Sequence, residues 1–252
     1  MASTINATTS SGIVATADNT GSLALQTSGT TAVTIDTSQR VGIGTTDMAS
    51  FASGKLAIAS SGDNFVSLQA GSSNASGINM VDSVTGSAVG LVRYQHSTDA
   101  MDFFTNGTQR MVIDSSGRVT IPSQPMFSVF DLSFPSGTSG VGTGGTVVSN
   151  VGSYYNSSNG RFTAPVSGTY LFGLSVQAFA SGSTTYINVN LGVNGSSTIG
   201  NFVSGYGGVH NNHMQITGSV ITYLNANDYT QIAVNYGARS GSQSTFNGFL
   251  IG

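Results

Sequence analysis

The segment from Gly160 to Phe172 narrows the folds open to this chain more than any other. Gly160 and Gly168 bracket Phe162 and Pro165, so a short strand ends at a proline-containing corner and a second begins at Thr169. Proline removes a ladder donor, which confines it to a strand end. Beyond the corner Tyr170, Phe172, Leu174 and Val176 alternate with Leu171, Gly173 and Ser175, the two-residue period of a half-buried strand. Near the C-terminus Phe246, Gly248 and Leu250 share one face while Asn247, Phe249 and Ile251 share the other. A last strand apolar on both faces belongs inside a sandwich or at a subunit contact.

Composition extends this to the whole chain. Of 252 residues only 7 are Lys or Arg and 10 are acidic; every acid is Asp, and Glu, Cys and Trp are absent. One Lys, no Glu and an abundance of Gly, Ser, Thr, Val and Asn predict an all-β protein. Surfaces so poor in charge favour association, and packing of subunits along a shared axis accommodates it. A net charge of -3 supplies no electrostatic footprint for nucleic acid or anionic lipid. No apolar run approaches the ~20 residues of a membrane span, and Met1-Ala2-Ser3-Thr4-Ile5-Asn6 lacks the basic and apolar regions of a signal peptide.

The N-terminal half carries an internal repeat: Thr27 to Ile43 aligns without a gap on Thr105 to Ile121. Each copy predicts two turn-bounded hairpin arms. Ser28-Gly29 or Asn106-Gly107 makes the first turn, and Asn-Gly is a strong hairpin signal. The second is Asp36-Thr37-Ser38-Gln39 or Asp114-Ser115-Ser116-Gly117, in which Asp accepts backbone N–H bonds and Gly117 supplies a left-handed position. Asp36 with Arg40, and Asp114 with Arg118, flank the turns at a spacing that allows pairing across them, a structural role rather than a catalytic one. Hairpins of this size hold too little core to fold alone. Pro122-Ser123-Gln124-Pro125 stiffens a short connector where the periodicity changes. The chain therefore divides into a polar, turn-rich segment 1–20, a repetitive β region 21–122 and a sandwich 126–252.

Two resemblances follow from these residues. The stretch Gly160 to Phe172, answered by Thr245-Phe246-Asn247-Gly248-Phe249-Leu250-Ile251, resembles the C1q-like globular head, a jelly roll related to the tumour-necrosis-factor fold. That family implies a compact trimer whose exposed loops recognise ligands, and argues against an enzyme. Val41-Gly42-Ile43-Gly44, Arg93-Tyr94-Gln95-His96 and the Ile-Asp-Ser-Ser-Gly-Arg-Val pattern ending at Val119 look like shaft repeats of tailed-phage fibre and spike proteins over about residues 20 to 122. In such shafts three chains bury between them what one cannot. The self-cleaving chaperone ending of many such fibres has no counterpart here.

Strands predicted near 126–133, 160–164, 169–180, 184–193, 197–204, 213–224, 228–237 and 244–251 place both ends of the sandwich at one pole. The loops near 181–184, 205–212 and 238–243 then fall at the other. They carry the candidate receptor-binding residues Tyr206, His210, Asn211, Asn212, His213, Arg239, Ser240 and Gln243, whose aromatic, amide and guanidinium groups suit sugar rings and hydroxyls. Phe172, Phe179, Tyr186, Phe202, Tyr236, Phe246 and Phe249 exceed what one small core needs, so they are candidates for a trimer contact. His210 and His213 fall short of the ligand set a zinc ion requires, and no metal or cofactor is expected. Nor is a catalytic residue: a glycosidase needs two carboxyls at a set separation, and the sandwich holds only Asp131 and Asp228, the latter in a turn where capping explains it.

These readings converge on a homotrimeric structural fibre or spike of a phage virion. Its N-terminus would attach to another virion protein, and its distal head would bind a host cell-surface glycan or protein. The alternatives are a capsid- or tail-junction protein whose head contacts another virion protein, a polysaccharide depolymerase, and a bacterial adhesin.

Overall fold

Positive backbone φ angles punctuate the chain where the sequence puts its turns. In the computed structural model, which describes residues 21–51, 54–82, 88–135, 139–180, 186–195, 197–205, 212–235 and 243–252, Ser28 and Gly29 have φ of 52° and 77°, and Asn106 and Gly107 have 50° and 67°. Two consecutive left-handed residues make the two-residue turn whose twist matches paired strands. The expected attachment segment 1–20 lies outside the described residues. The chain separates into two compact units, Met1–Gln69 and Ala70–Gly252.

The first unit is one sheet of β1 (Leu23–Thr27), β2 (Thr30–Ile35), β3 (Val41–Ile43) and β4 (Leu56–Ile58), in that order, with β4 parallel to β3 and the other pairs antiparallel. The second unit begins with a meander of β5 (Ala75–Val81), β6 (Ala88–Gln95), β7 (Ala100–Thr105), β8 (Thr108–Ile113) and β9 (Val119–Thr120).

The repeat seen in the sequence is a repeat in register. Leu23 pairs with Ile35 as Met101 pairs with Ile113, Leu25 with Val33 as Phe103 with Met111, and Thr27 with Thr30 as Thr105 with Thr108. Both hairpins slip at the same place, between Leu25 and Gln26 and between Phe103 and Phe104. The second turn is also duplicated bond for bond. Asp36 Oδ1 accepts the N–H of Ser38 and of Arg40 at 2.9 Å each, and Asp114 Oδ1 accepts those of Ser116 and Arg118 at 2.9 and 3.0 Å. Arg40 and Arg118 each donate Nε–H to the other carboxylate oxygen at 2.7 Å. The backbone N–H of Arg40, foremost among these groups, holds the Asp36 carboxyl below its ordinary pKa, and that of Arg118 does the same for Asp114.

One position differs. Gln39 takes a φ of 59° where the second copy has Gly117 at 78°. A left-handed conformation costs a residue with a Cβ about 1–2 kcal/mol, and glycine returns part of that as unfolded-chain entropy. Gln39→Gly is therefore expected to stabilise the N-terminal sheet by about 0.5–1 kcal/mol, read as a higher denaturant midpoint, with Gly117→Gln shifting the other meander the opposite way.

The rest of the second unit is a two-layer sandwich. One sheet runs β12 (Thr146–Val151), β10 (Met126–Phe130), β20 (Thr245–Leu250), β15 (Gly168–Ala180), β18 (Asn212–Leu224). The other runs β13 (Tyr155–Asn156), β14 (Arg161–Thr163), β19 (Tyr229–Asn235), β16 (Tyr186–Val193), β17 (Ser197–Gly205), with β11 (Gly140–Val141) also paired to β19. From β14 to β20 the chain crosses between layers at nearly every connection, the path of a jelly roll. The protein is thus all-β, its core closed by the alternation read from the sequence: Tyr170, Phe172, Leu174 and Val176 all point inward and are buried.

Aromatic rings dominate that core. Phe127 stacks on Tyr155 and on Phe162 with centroids 4.9 Å apart in both cases, and meets Phe246 edge-on at 4.8 Å. Gly248 lies where a Cβ would fall 2.5 Å from Phe172 Cδ1 and 2.7 Å from Phe127 Cε1, so glycine is needed for the rings to meet. The Tyr155 hydroxyl is buried with no hydrogen-bond partner among the described residues, and burial pushes its pKa up to about 12.

Candidate functional site

Strand register defines the two poles of the sandwich. Ala180 pairs with Asn212, Tyr186 with Gly205 and Asn188 with Asn235, so the strand ends flanking 181–185, 206–211 and 236–242 gather at one end. Met126 pairs with Phe249, and Phe249 with Leu171, at the other. There Gln124 Nε2 donates to the Leu250 carbonyl at 2.6 Å and Leu250 N–H to the Pro125 carbonyl at 3.0 Å, so the chain enters and leaves the sandwich side by side.

The entry pole is built by the proline corner. Tyr170 Oη donates to the Val166 carbonyl at 2.8 Å, Ala164 N–H to the Asp228 carbonyl at 2.8 Å, and Asn227 N–H back to the Ala164 carbonyl. Asp228 accepts from Asn194 Nδ2 and from the Asn225 backbone, each at 2.8 Å, and the Asn194 amide foremost holds its carboxyl below the ordinary pKa. Both oxygens are committed to turn geometry, as capping required.

The receptor-binding candidates divide sharply. Tyr206, His210, Asn211, Arg239 and Ser240 lie outside the described residues. Asn212 and His213 belong to β18 rather than to a loop, paired in register with Ala180 and Phe179, because the antiparallel ladder continues to the end of β15. Gln243 is exposed with a φ of 78°, and its groups are engaged within the chain. Its N–H donates to Asp131 Oδ1 at 3.0 Å, its carbonyl accepts from Gln215 Nε2 at 3.1 Å, and its Oε1 accepts from Gln177 Nε2 at 3.1 Å. Gln215 Nε2 also reaches Ser175 Oγ at 2.6 Å. This amide ladder makes the distal half of the outer face of the β10 sheet polar, and sequence spacing alone did not reveal it.

The seven aromatic contact candidates divide as well. Phe172 and Phe246 are 0% and 1% exposed and fill the chain's own core, so they are corrected to core residues: the rings of Phe127 and Phe162 occupy the space a second chain would need. Phe179, Tyr186 and Phe202 sit on β15, β16 and β17 with side chains outside the described set, and Tyr236 lies outside the described residues altogether. Phe249 is 43% exposed and faces outward. Register sets it in a row across the sheet, Ile221, Leu171, Phe249, Met126 and Val151, with Ile221 and its strand neighbour Tyr223 each 62% exposed. The outer face is thus apolar near the entry pole and polar toward the far one. The period-two parity of β18 carried the signal for Ile221 and Tyr223.

Residues 134–251 match the C1q domain. Among solved structures, the globular domain of the zebrafish complement 1qA protein aligns at 19% identity with a TM-score of 0.40, covering 51% of this chain and 98% of its own. Murine APRIL aligns at 11% identity with a TM-score of 0.41, covering 51% of this chain and 99% of its own. No curated protein sequence matches the chain. Among the described residues no group of three or more His, Cys, Asp or Glu is placed to hold a metal ion. Among those residues, too, no helix is long and apolar enough to cross a membrane.

Proposed function

We propose that this chain is a homotrimeric fibre or spike subunit of a phage virion. In this reading its C1q domain binds a host-surface receptor, a glycan by chemistry, at the pole away from the chain entry. The carrying observation is the union in one chain of two register-identical hairpin repeats with a C1q domain. Domains of the C1q and tumour-necrosis-factor class commonly form trimers and bind partners. The outward row of Ile221, Leu171, Phe249 and Met126 is the surface a trimer would cover. The pole reserved for recognition lies beyond the amide ladder of Gln177, Gln215 and Gln243, leaving Tyr206, His210, Asn211, Arg239 and Ser240 as its sequence-level contacts. The N-terminal segment 1–20 would join another virion protein. The reading assigns no catalysis: Asp36, Asp114 and Asp228 spend their oxygens on turns.

One shallow loop site makes few desolvated contacts, while three linked copies raise avidity by roughly 10²–10⁴. The purified protein is expected to bind host cells and to compete with the virus, and Tyr206→Ala with Arg239→Ala is expected to abolish competition while native mass spectrometry still finds a trimer. Undiminished competition by the double variant would place recognition elsewhere.

A further inference from the structure

The duplicated hairpins repeat an apolar face as well as their turns. On β1, β2 and β3 the residues Leu23, Leu25, Val33, Ile35, Val41 and Ile43 lie on one side, joined across the parallel ladder by Leu56 and Ile58. Their counterparts Met101, Phe103, Met111, Ile113 and Val119 lie on one side of β7, β8 and β9, followed by Ile121, and β5 and β6 add Ile78, Met80 and Val92. All six repeat positions are apolar in both copies. The reverse face differs: in the first sheet Met48 packs on Gly42, and Thr34 and Ala57 are buried, while in the second Asp102 binds Arg93 and Gln109 at 2.9 and 3.1 Å. Among the described residues the apolar face has no such cover. Leu25 is 49% exposed, Leu56 60% and Ile78 59%.

We propose that these two faces are the interchain core of the N-terminal half, each covered by the same face of further copies of this chain. The proposal rests on the trimer reading above and adds to it the surface that holds the repeats together. Three observations select a second copy as the occupant. Its apolar positions carry no charge, and the polar groups that border them in the second sheet are engaged within the chain: Tyr94 donates to Asp99 Oδ1 at 2.9 Å and Arg110 to Thr105 Oγ1 at 3.0 Å. The same six apolar positions recur in a second sheet at identical register, so any surface that fits one is supplied by another copy. The exposure is extensive: Leu23, Leu25, Leu56, Ile78, Val119 and Ile121 are each 41% to 60% exposed, apolar surface of the kind a stable interface buries.

The chain has no cysteine, so any thiol cross-link between introduced cysteines joins two copies. In the full chain, Leu25→Cys and the repeat-equivalent Phe103→Cys are to be treated with a short bismaleimide, with Gln26→Cys on the reverse face as control. Covalent dimers are expected at more than about tenfold the control yield for both apolar-face variants. A trimer by native mass spectrometry that links no better than the control overturns this proposal and leaves the trimer intact. A monomeric full chain overturns both. Equal linking of all three variants also overturns it, because it denies the face any preference.

Discussion

Phe127→Ala is expected to cost the C-terminal sandwich about 3–5 kcal/mol, the range for emptying a buried aromatic site. Phe127 is 1% exposed and touches the rings of Tyr155, Phe162 and Phe246 at centroid distances under 5 Å, so its removal opens a hole that three other rings border. Those rings come from both layers, and β-sheet backbones cannot close inward without breaking register. With domain stabilities of ~5–15 kcal/mol, the loss is a large fraction of the whole. Urea unfolding followed by tyrosine fluorescence measures it. Phe249→Ala, on the outward face of the neighbouring strand, should change the stability of the isolated subunit by less than ~1 kcal/mol. A midpoint for Phe127→Ala as high as that of Phe249→Ala would show that the aromatic cluster is not the core it is taken to be.

Much of this fold was legible because β structure writes itself at a period of two. The inward set Tyr170, Phe172, Leu174 and Val176 came from alternation alone, and the eight predicted spans from Met126 onward lie within a few residues of β10 and of β14 to β20. Turn chemistry was equally readable. Asn106-Gly107 and the Asp114 turn are local, so their geometry depends on residues adjacent in sequence, and the copies at Ser28-Gly29 and Asp36 follow the same hydrogen bonds.

Part of what escaped reading depends on pairs far apart in sequence, and part on parity that was set aside. Parity on β20 puts Phe246 and Phe249 on opposite faces, so only one of them can meet a second chain; grouping all surplus aromatics as contacts overrode that parity. Ile221 and Tyr223 are invisible as a patch until register sets Ile221 beside Leu171 and Leu171 beside Phe249. The ladder of Gln177, Gln215 and Gln243 is spread over β15, β18 and the approach to β20, and no local pattern links its members. The cover that Met48 gives Gly42 is a single side chain returning from a turn, a contact that period-two reasoning does not reach.

The opposite faces of β20 supply the sharpest test of how the subunits meet. Phe249→Asp is expected to convert the proposed trimer to folded monomers, whereas Phe246→Asp should unfold the sandwich outright. In the first case the carboxylate sits on a solvent-facing row of the free subunit and is desolvated only on association. An unpaired buried charge costs several kcal/mol, and at 1.4 kcal/mol per tenfold this weakens assembly on the order of a thousandfold or more. In the second the charge replaces a ring 4.8 Å from Phe127 and 6.0 Å from Phe172 in the interior, where no cation is available to pair with it among the described residues of the core. Ile221→Asp, two strands away on the same outward row, should reproduce the monomer without loss of fold. Native mass spectrometry gives the assembly state, and far-ultraviolet circular dichroism with a urea midpoint reports whether the subunit is intact. Trimers retained by both Phe249→Asp and Ile221→Asp would rule out the apolar half of the β10 sheet as the contact.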